Sequence, residues 1–257
     1  MAVRRSSLSV CSPPLTPRAG DLTVAPPENN PEVLSRLCEN LGVAPGLSFH
    51  DVPSTSADLL AWIPRPVHAL ILLCDRPIYR AARATVEPTI PVYQGCGPDE
   101  PILWARQTIG HACGLMALLH CLFNLDGGRY IAPASELDTL LQRAIELDPT
   151  ERADLLYQSR FLEEAHMEAA SAGSTAAPSP HDENHHHFIA LVKKDNQVWE
   201  LNGGMNGPFL RGTLDGEDLL SERGLALSVQ DFLGGATASG FGEMSIVAMA
   251  GQDAQLL

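Results

Sequence analysis

The chain has 257 residues, 45% of them hydrophobic, and a formal net charge of -14 at pH 7. That length and apolar content can bury a proper core, in one large domain or two small ones. The charge argues against nucleic acid or an anionic membrane surface as partner, because both would repel it, and it favours a basic protein or basic peptide tail.

The cysteines, Cys11, Cys38, Cys74, Cys96, Cys113 and Cys121, are scattered without CxxC pairs or the spacing of a disulfide framework. They read as mostly reduced thiols of a cytosolic or nuclear protein, and no pair of them suggests a zinc site. There is no long apolar region at the N-terminus, and apolar runs such as 67–74 are too short to cross a bilayer, so neither secretion nor membrane insertion is expected. Residues 1–20 carry Arg4, Arg5 and Arg18 with several serines and no acid, which weakly resembles a transit peptide. Pro13, Pro14 and Pro17 and the lack of an amphipathic pattern favour a disordered tail over 1–27, followed by a single domain over 28–257.

Past the tail, residues 31–42 repeat apolar side chains at helical spacing, with Asn30 as N-cap, Pro31 at the first position and Gly42 ending the run. Residues 47–52 form a short candidate strand, and 57–62 a helical turn stopped by Pro64. The run 67–74 is apolar almost throughout and fits a strand buried on both faces, with His68 as a core or edge histidine. Residues 78–101 mix proline, glycine and polar residues and read as a loop.

The loop leads to Gln107-Thr108-Ile109-Gly110-His111-Ala112-Cys113-Gly114, an amide six residues before a cysteine at the mouth of an apolar helix. A cysteine on the first turn feels the partial positive charge of unpaired N–H groups, which lowers its pKa and favours the nucleophilic thiolate. The Gln107 amide and the Cys113 N–H could together form an oxyanion hole. The same stretch also fits an ordinary buried cysteine.

Residues 135–145 predict an amphipathic helix capped by Ser135, and 149–169 another begun at Asp148. Residues 171–184 are small, polar and proline-punctuated, and read as a mobile loop. Residues 187–192 and 197–202 then read as a hairpin. With Asp195-Asn196 as its turn, position 187 opposes 204 and 189 opposes 202, so His187 and Asn202 are diagonal neighbours on one face. Further strands are expected near 208–213 and 244–250. Cysteine, histidine and an orienting asparagine make a nucleophilic triad. Taken singly, His187 is also a plausible strand-end surface histidine and Asn202 a turn residue before Gly203-Gly204.

The stretch from Gln107 to Gly114 resembles the active-site signature of the ubiquitin carboxyl-terminal hydrolase family of deubiquitinases. His187-Phe188-Ile189 and Trp199-Glu200-Leu201-Asn202-Gly203 are similar to two further motifs of that family. Pro31-Glu32-Val33-Leu34, Leu41-Gly42-Val43, Phe49-His50-Asp51-Val52 and the run from Pro64 to Leu73 extend the resemblance through the N-terminal half.

The resemblance implies an α/β (α+β) fold, an αβα sandwich around a mostly antiparallel six-stranded sheet, with a knotted backbone and a papain-like site. It implies Cys113 as nucleophile, His187 as general base and proton donor, Gln107 as oxyanion stabiliser and Asn202 as the residue orienting His187. Asn202 stands where the family has aspartate, and His111 and Leu115 also depart from the family pattern. An asparagine can hold the imidazole but stabilises imidazolium less, so a lower rate or an altered pH profile is expected. Residues 170–184 correspond to the family's crossover loop, through which the adduct on the ubiquitin tail must thread, so small or flexible adducts are expected to be released.

The implied partner is ubiquitin, whose basic contact face and tail suit the acidic balance of this chain. No cofactor, metal, nucleic acid or membrane is implied. The chain stops soon after the last expected strand, which suggests a small stand-alone monomeric enzyme, cytoplasmic or also nuclear. Two other functions are open to the sequence. One is a ubiquitin-binding module weakened in catalysis by Asn202. The other is a metal site of His185, His186, His187, Asp182 and Glu183, which adjacent strand residues pointing to opposite faces disfavour.

Overall fold

The computed structural model describes residues 29–109, 112–126, 128–171, 186–239 and 244–251. The tail at 1–27, Gly110, His111 and most of the expected crossover loop lie outside these residues. The chain opens with helix α1 (Pro31–Asn40), strand β1 (Leu47–Asp51), the single-turn helix α2 (Ala57–Leu60), strand β2 (Val67–Asp75) and helix α3 (Arg76–Arg83). Helices α4 (Cys113–Asn124), α5 (Glu136–Ile145), α6 (Pro149–Tyr157) and α7 (Arg160–Ser171) follow. The chain continues with strands β3 (His186–Lys194), β4 (Gln197–Leu201) and β5 (Phe209–Thr213), helices α8 (Glu222–Ser228) and α9 (Gln230–Ser239), and strand β6 (Met244–Gly251).

All six strands join one sheet in the order β1-β6-β2-β3-β4-β5, and each pairing is antiparallel. The sheet is covered on both faces, because alternate strand residues enter separate cores. Ala69, Ile71, Ala190, Val192, Val247 and Met249 pack with residues of α1, α4, α5, α6 and α7. Leu70, Leu72, Ile189, Leu191, Ile246 and Ala248 pack with Tyr79, Leu225 and Phe232 on the opposite face. The three-layer architecture implied by the sequence is therefore present. Among the described residues no helix is long and apolar enough to cross a membrane.

Local signals act as read. Asn30 Oδ1 accepts from Glu32 N at 2.8 Å to start α1, and Gly42 follows that helix at φ 73°. His68 bonds the Tyr130 hydroxyl at 3.3 Å at the sheet's margin. The β3–β4 hairpin turns on Asp195 and Asn196, both at positive φ, and opposes Ala190 to Leu201 and Lys194 to Gln197, the expected register.

Three expectations need correction. The stretch 78–101 is not wholly a loop. It begins inside α3 and contains a 3₁₀ turn at Glu87–Thr89. Pro77 sits in the first turn, where no N–H bond is lost, and the buried face holds Ile78, Tyr79 and Arg83, so the inward side includes a charge. The helix expected over 149–169 is two helices, broken at Gln158-Ser159, with Ser159 Oγ accepting from Leu162 N at 3.3 Å to start the second. Residues 170 and 171, assigned to the crossover loop, close α7 instead.

Candidate active site

Helix α4 is buried over its whole length and begins at Cys113, which is 4% exposed. Most of its residues are apolar, but His120 and Asn124 sit one turn apart and are buried too. They grip the segment around 103–105, which lies outside every helix and strand. Asn124 Oδ1 accepts from Leu103 N and its Nδ2 donates to Leu103 O, both at 2.8 Å. His120 Nε2 meets the Ala105 backbone at 3.2 Å. Arg152, fully buried, donates to Trp104 O at 2.6 Å while pairing with Glu100 at 2.7 Å. These contacts fix 102–105 and hence the approach of Gln107.

Gln107 is tied to the hairpin end: its N–H donates to Gly203 O at 2.9 Å. A Cβ on Gly203 would lie 2.7 Å from the Gln107 nitrogen, so a glycine is required there for this close approach. The Gln107 amide donates to Ile109 O at 3.2 Å, which turns it toward the segment leading to Cys113. A small apolar cavity lined by Ile109, Ala112, Leu115, Leu156 and Leu162 flanks the same segment.

Asn202 falls just past β4 and is 3% exposed. Its backbone oxygen accepts from the Trp104 indole at 3.1 Å, and its Oδ1 accepts from Gly204 N at 2.8 Å. Its amide is near enough to the His187 ring and the Tyr79 phenol to act on their titration, raising the first and lowering the second. Tyr79, from α3, lays its ring against His187 with centroids 5.0 Å apart. One turn further along α3, the Arg83 guanidinium pairs with Glu200 at 2.6 Å, and Arg211 reaches the same carboxylate at 3.6 Å. Glu200 is two residues before Asn202, so this buried ionic cluster fixes both α3 and the end of β4.

The electrostatics differ from expectation at the cysteine. Burial pushes the Cys113 thiol up, and hydrogen bonds from the Phe188 backbone and from its own helix turn, with the positive charge of Arg76, pull it down by less. Desolvation of the anion therefore outweighs the helix terminus. Burial lowers His187 to about 4, assisted by Arg76 and opposed by the hydrogen bond to Asn202. The resting pair is a neutral thiol and a neutral imidazole.

All four residues singled out in the sequence meet at the end of the β3–β4 hairpin where α4 begins. Gln107 N–H bonds Gly203 O, the neighbour of Asn202; the Asn202 amide is near enough to His187 to raise its pKa; and the Phe188 backbone, next to His187, is near enough to Cys113 to lower that of the thiol. Tyr79, Trp104, His120, Asn124 and Arg152 were not foreseen. The one signal for them was His120 and Asn124, a polar pair four residues apart on an otherwise apolar helix.

Of the residues weighed for a metal, Asp182, Glu183 and His185 lie outside the described residues. His186 meets Asp75 at 3.3 Å while His187 faces Tyr79, so the two histidines diverge. Among the described residues no group of three or more metal-ligating side chains converges.

Residues 24–233 match the family described as ubiquitin carboxyl-terminal hydrolase, family 1. A ubiquitin carboxyl-terminal hydrolase of Aplysia californica is 36% identical over 197 residues, 77% of this chain and 89% of that protein. One from Drosophila melanogaster is 35% identical over 206 residues, 78% of this chain and 87% of that protein. Among solved structures, the Trichinella spiralis UCH37 catalytic domain bound to ubiquitin vinyl methyl ester is similar in fold, with a TM-score of 0.65 and 18% identity. That similarity covers 91% of this chain and 97% of that one.

Proposed function

The chain belongs to ubiquitin carboxyl-terminal hydrolase family 1 and is a thiol-dependent hydrolase, and on that premise we propose that it cleaves the bond following the C-terminal glycine of ubiquitin, with Cys113 as nucleophile. The observation that carries this reading is the meeting of Cys113, His187, Asn202 and Gln107 at one hairpin end, each acting on another of them or on an immediate chain neighbour.

Because thiol and imidazole both rest neutral, the proton passes from Cys113 to His187 as the sulfur attacks the glycine carbonyl carbon. The oxyanion that forms is stabilised by the Gln107 amide and by the Cys113 N–H, one of the unpaired donors at the start of α4. His187, now imidazolium and held by Asn202, protonates the leaving amine, alcohol or thiol. Water then hydrolyses the thioester, with His187 again as base. Catalysis is contained in residues 28–257 as one domain, and the polar segment 172–184 limits the adducts released to small or flexible ones. The acidic surface charge favours encounter with the basic face and tail of ubiquitin.

The neutral resting pair and Asn202 favour a second reading, a ubiquitin-binding module with weak catalysis. Turnover of ubiquitin carrying a fluorogenic amide at its C-terminus separates the two. The wild-type protein is expected to release the fluorophore and Cys113→Ala to release none; equal rates for both would overturn the assignment.

A further inference from the structure

Gln107 can stabilise an oxyanion only if its amide is held at a fixed place beside the start of α4, yet it belongs to a stretch that lies in no helix or strand. A catalytic donor on such a stretch needs anchors from outside it.

Trp104 supplies one. Its ring is 1% exposed, and the indole N–H, which can donate but not accept, has to find an acceptor inside the protein. It donates to Asn202 O at 3.1 Å. Three residues on, Gln107 N donates to Gly203 O at 2.9 Å. One short stretch therefore takes the consecutive carbonyls of 202 and 203. Two such bonds fix its position along the hairpin end, where one alone would leave it free to pivot.

The residue is also held from its other sides. Its carbonyl accepts from Arg152 Nη1 at 2.6 Å, and Arg152 is buried and paired with Glu100 at 2.7 Å. Its ring meets Tyr93 edge-on at 6.1 Å, and the Tyr93 hydroxyl donates to Ile102 O at 2.9 Å. Tyr93 is in turn bound to the loop after Asn202, its N–H donating to Asn206 O at 2.9 Å. Sliding the stretch would break the indole bond and leave a buried donor unpaired, which buried polar groups avoid. A phenylalanine would fill most of the same space without resisting the slide.

We infer that Trp104 is a positioning residue for the reaction, whose indole N–H clamps the stretch 104–107 onto the hairpin end and so holds the Gln107 amide where the oxyanion forms. This deepens the reading of Gln107 as oxyanion donor given above and rests on it. Trp104 acts through Gln107, so its contribution vanishes when Gln107 has no amide to place.

That dependence gives the test. Trp104→Phe keeps an aromatic ring and removes the N–H; benzothienylalanine at position 104 keeps the bicyclic shape as well, with sulfur in place of nitrogen, and serves where the smaller ring does not fold. Each is expected to lower kcat on the ubiquitin fluorogenic amide about tenfold, with KM within about twofold. In a Gln107→Ala background the same changes are expected to cost about twofold or less. Without substrate, the Gln107 amide hydrogen is expected to exchange with solvent about tenfold faster in either variant than in the wild type. Equal fold losses of kcat in the two backgrounds, no loss in either, or unchanged exchange at Gln107 would overturn the proposal. If Cys113→Ala keeps full activity the hydrolase reading fails instead, and the exchange measurement, which needs no turnover, still decides whether Trp104 holds Gln107.

Discussion

The two halves of the candidate site are built by opposite means. Cys113 comes from a helix embedded in apolar side chains, and its thiol is held neutral by that burial. His187 and Asn202 come from a hairpin end held by polar contacts: the Trp104 indole, the Gly204 amide and the Arg83–Glu200–Arg211 cluster. Apolar packing places a nucleophile without specifying its charge, whereas the polar arm specifies which way a ring and an amide face. The contrast explains how both titratable partners can be neutral at rest and still be arranged for proton transfer.

Acid should strain both halves, and by the largest amount. His120 beside α4's partner segment and His187 in the hairpin are each lowered from 6.5 to about 4, mainly by burial. Each is bound neutral, so the unfolded chain takes up more protons as pH falls below 6.5. The stabilisation is complete above that pH and is lost on the way down to about 4, by roughly 3 kcal/mol per histidine. Urea unfolding across pH 7 to 4 should show the fall, and His187→Gln should remove about half of it; a flat profile would contradict the burial of both rings.

Glu200→Ala attacks the polar arm alone, leaving two buried guanidinium groups with only the half-exposed carboxylate of Asp231 as their anionic partner. A loss of about 3–5 kcal/mol in denaturant unfolding is expected, as large as that from a cavity such as Leu118→Ala in the apolar half. A loss under about 1 kcal/mol would mean that the arm is held by packing instead.

Gly203→Ala tests the seam between the halves. Its Cβ must push the Gln107 backbone away, so about 1–3 kcal/mol of stability is expected to go, with a fall in kcat larger than any rise in KM. Unchanged kinetics would show that Gln107 does not need this contact. The smallest effect is expected from Asn202→Asp, which should raise turnover about three- to tenfold by stabilising imidazolium. No gain would show that the amide, once oriented, supports His187 as well as a carboxylate does.

The same contrast governs how much could be read from the sequence. Helix α4 was legible because an apolar run with almost no break has few alternatives, and the hairpin register followed from the Asp195-Asn196 turn. All six strands lie within two residues of the expected ranges. Helix α3 was not legible, because its inward face carries Arg83, whose burial makes sense only with Glu200, more than a hundred residues further on. Likewise the partners of His120 and Asn124 are backbone atoms of another segment, which no periodicity reveals. The Cys113 thiol pKa was misjudged because a helix terminus is visible in the sequence and the depth of burial is not.

The measurement closest to the central claim is intact mass after exposure to ubiquitin carrying a C-terminal vinyl methyl ester. The wild-type protein is predicted to gain one ubiquitin adduct, Cys113→Ala none, and Asn202→Asp an adduct at least as fast as wild type. An adduct on Cys113→Ala, or none on the wild type, would contradict the account.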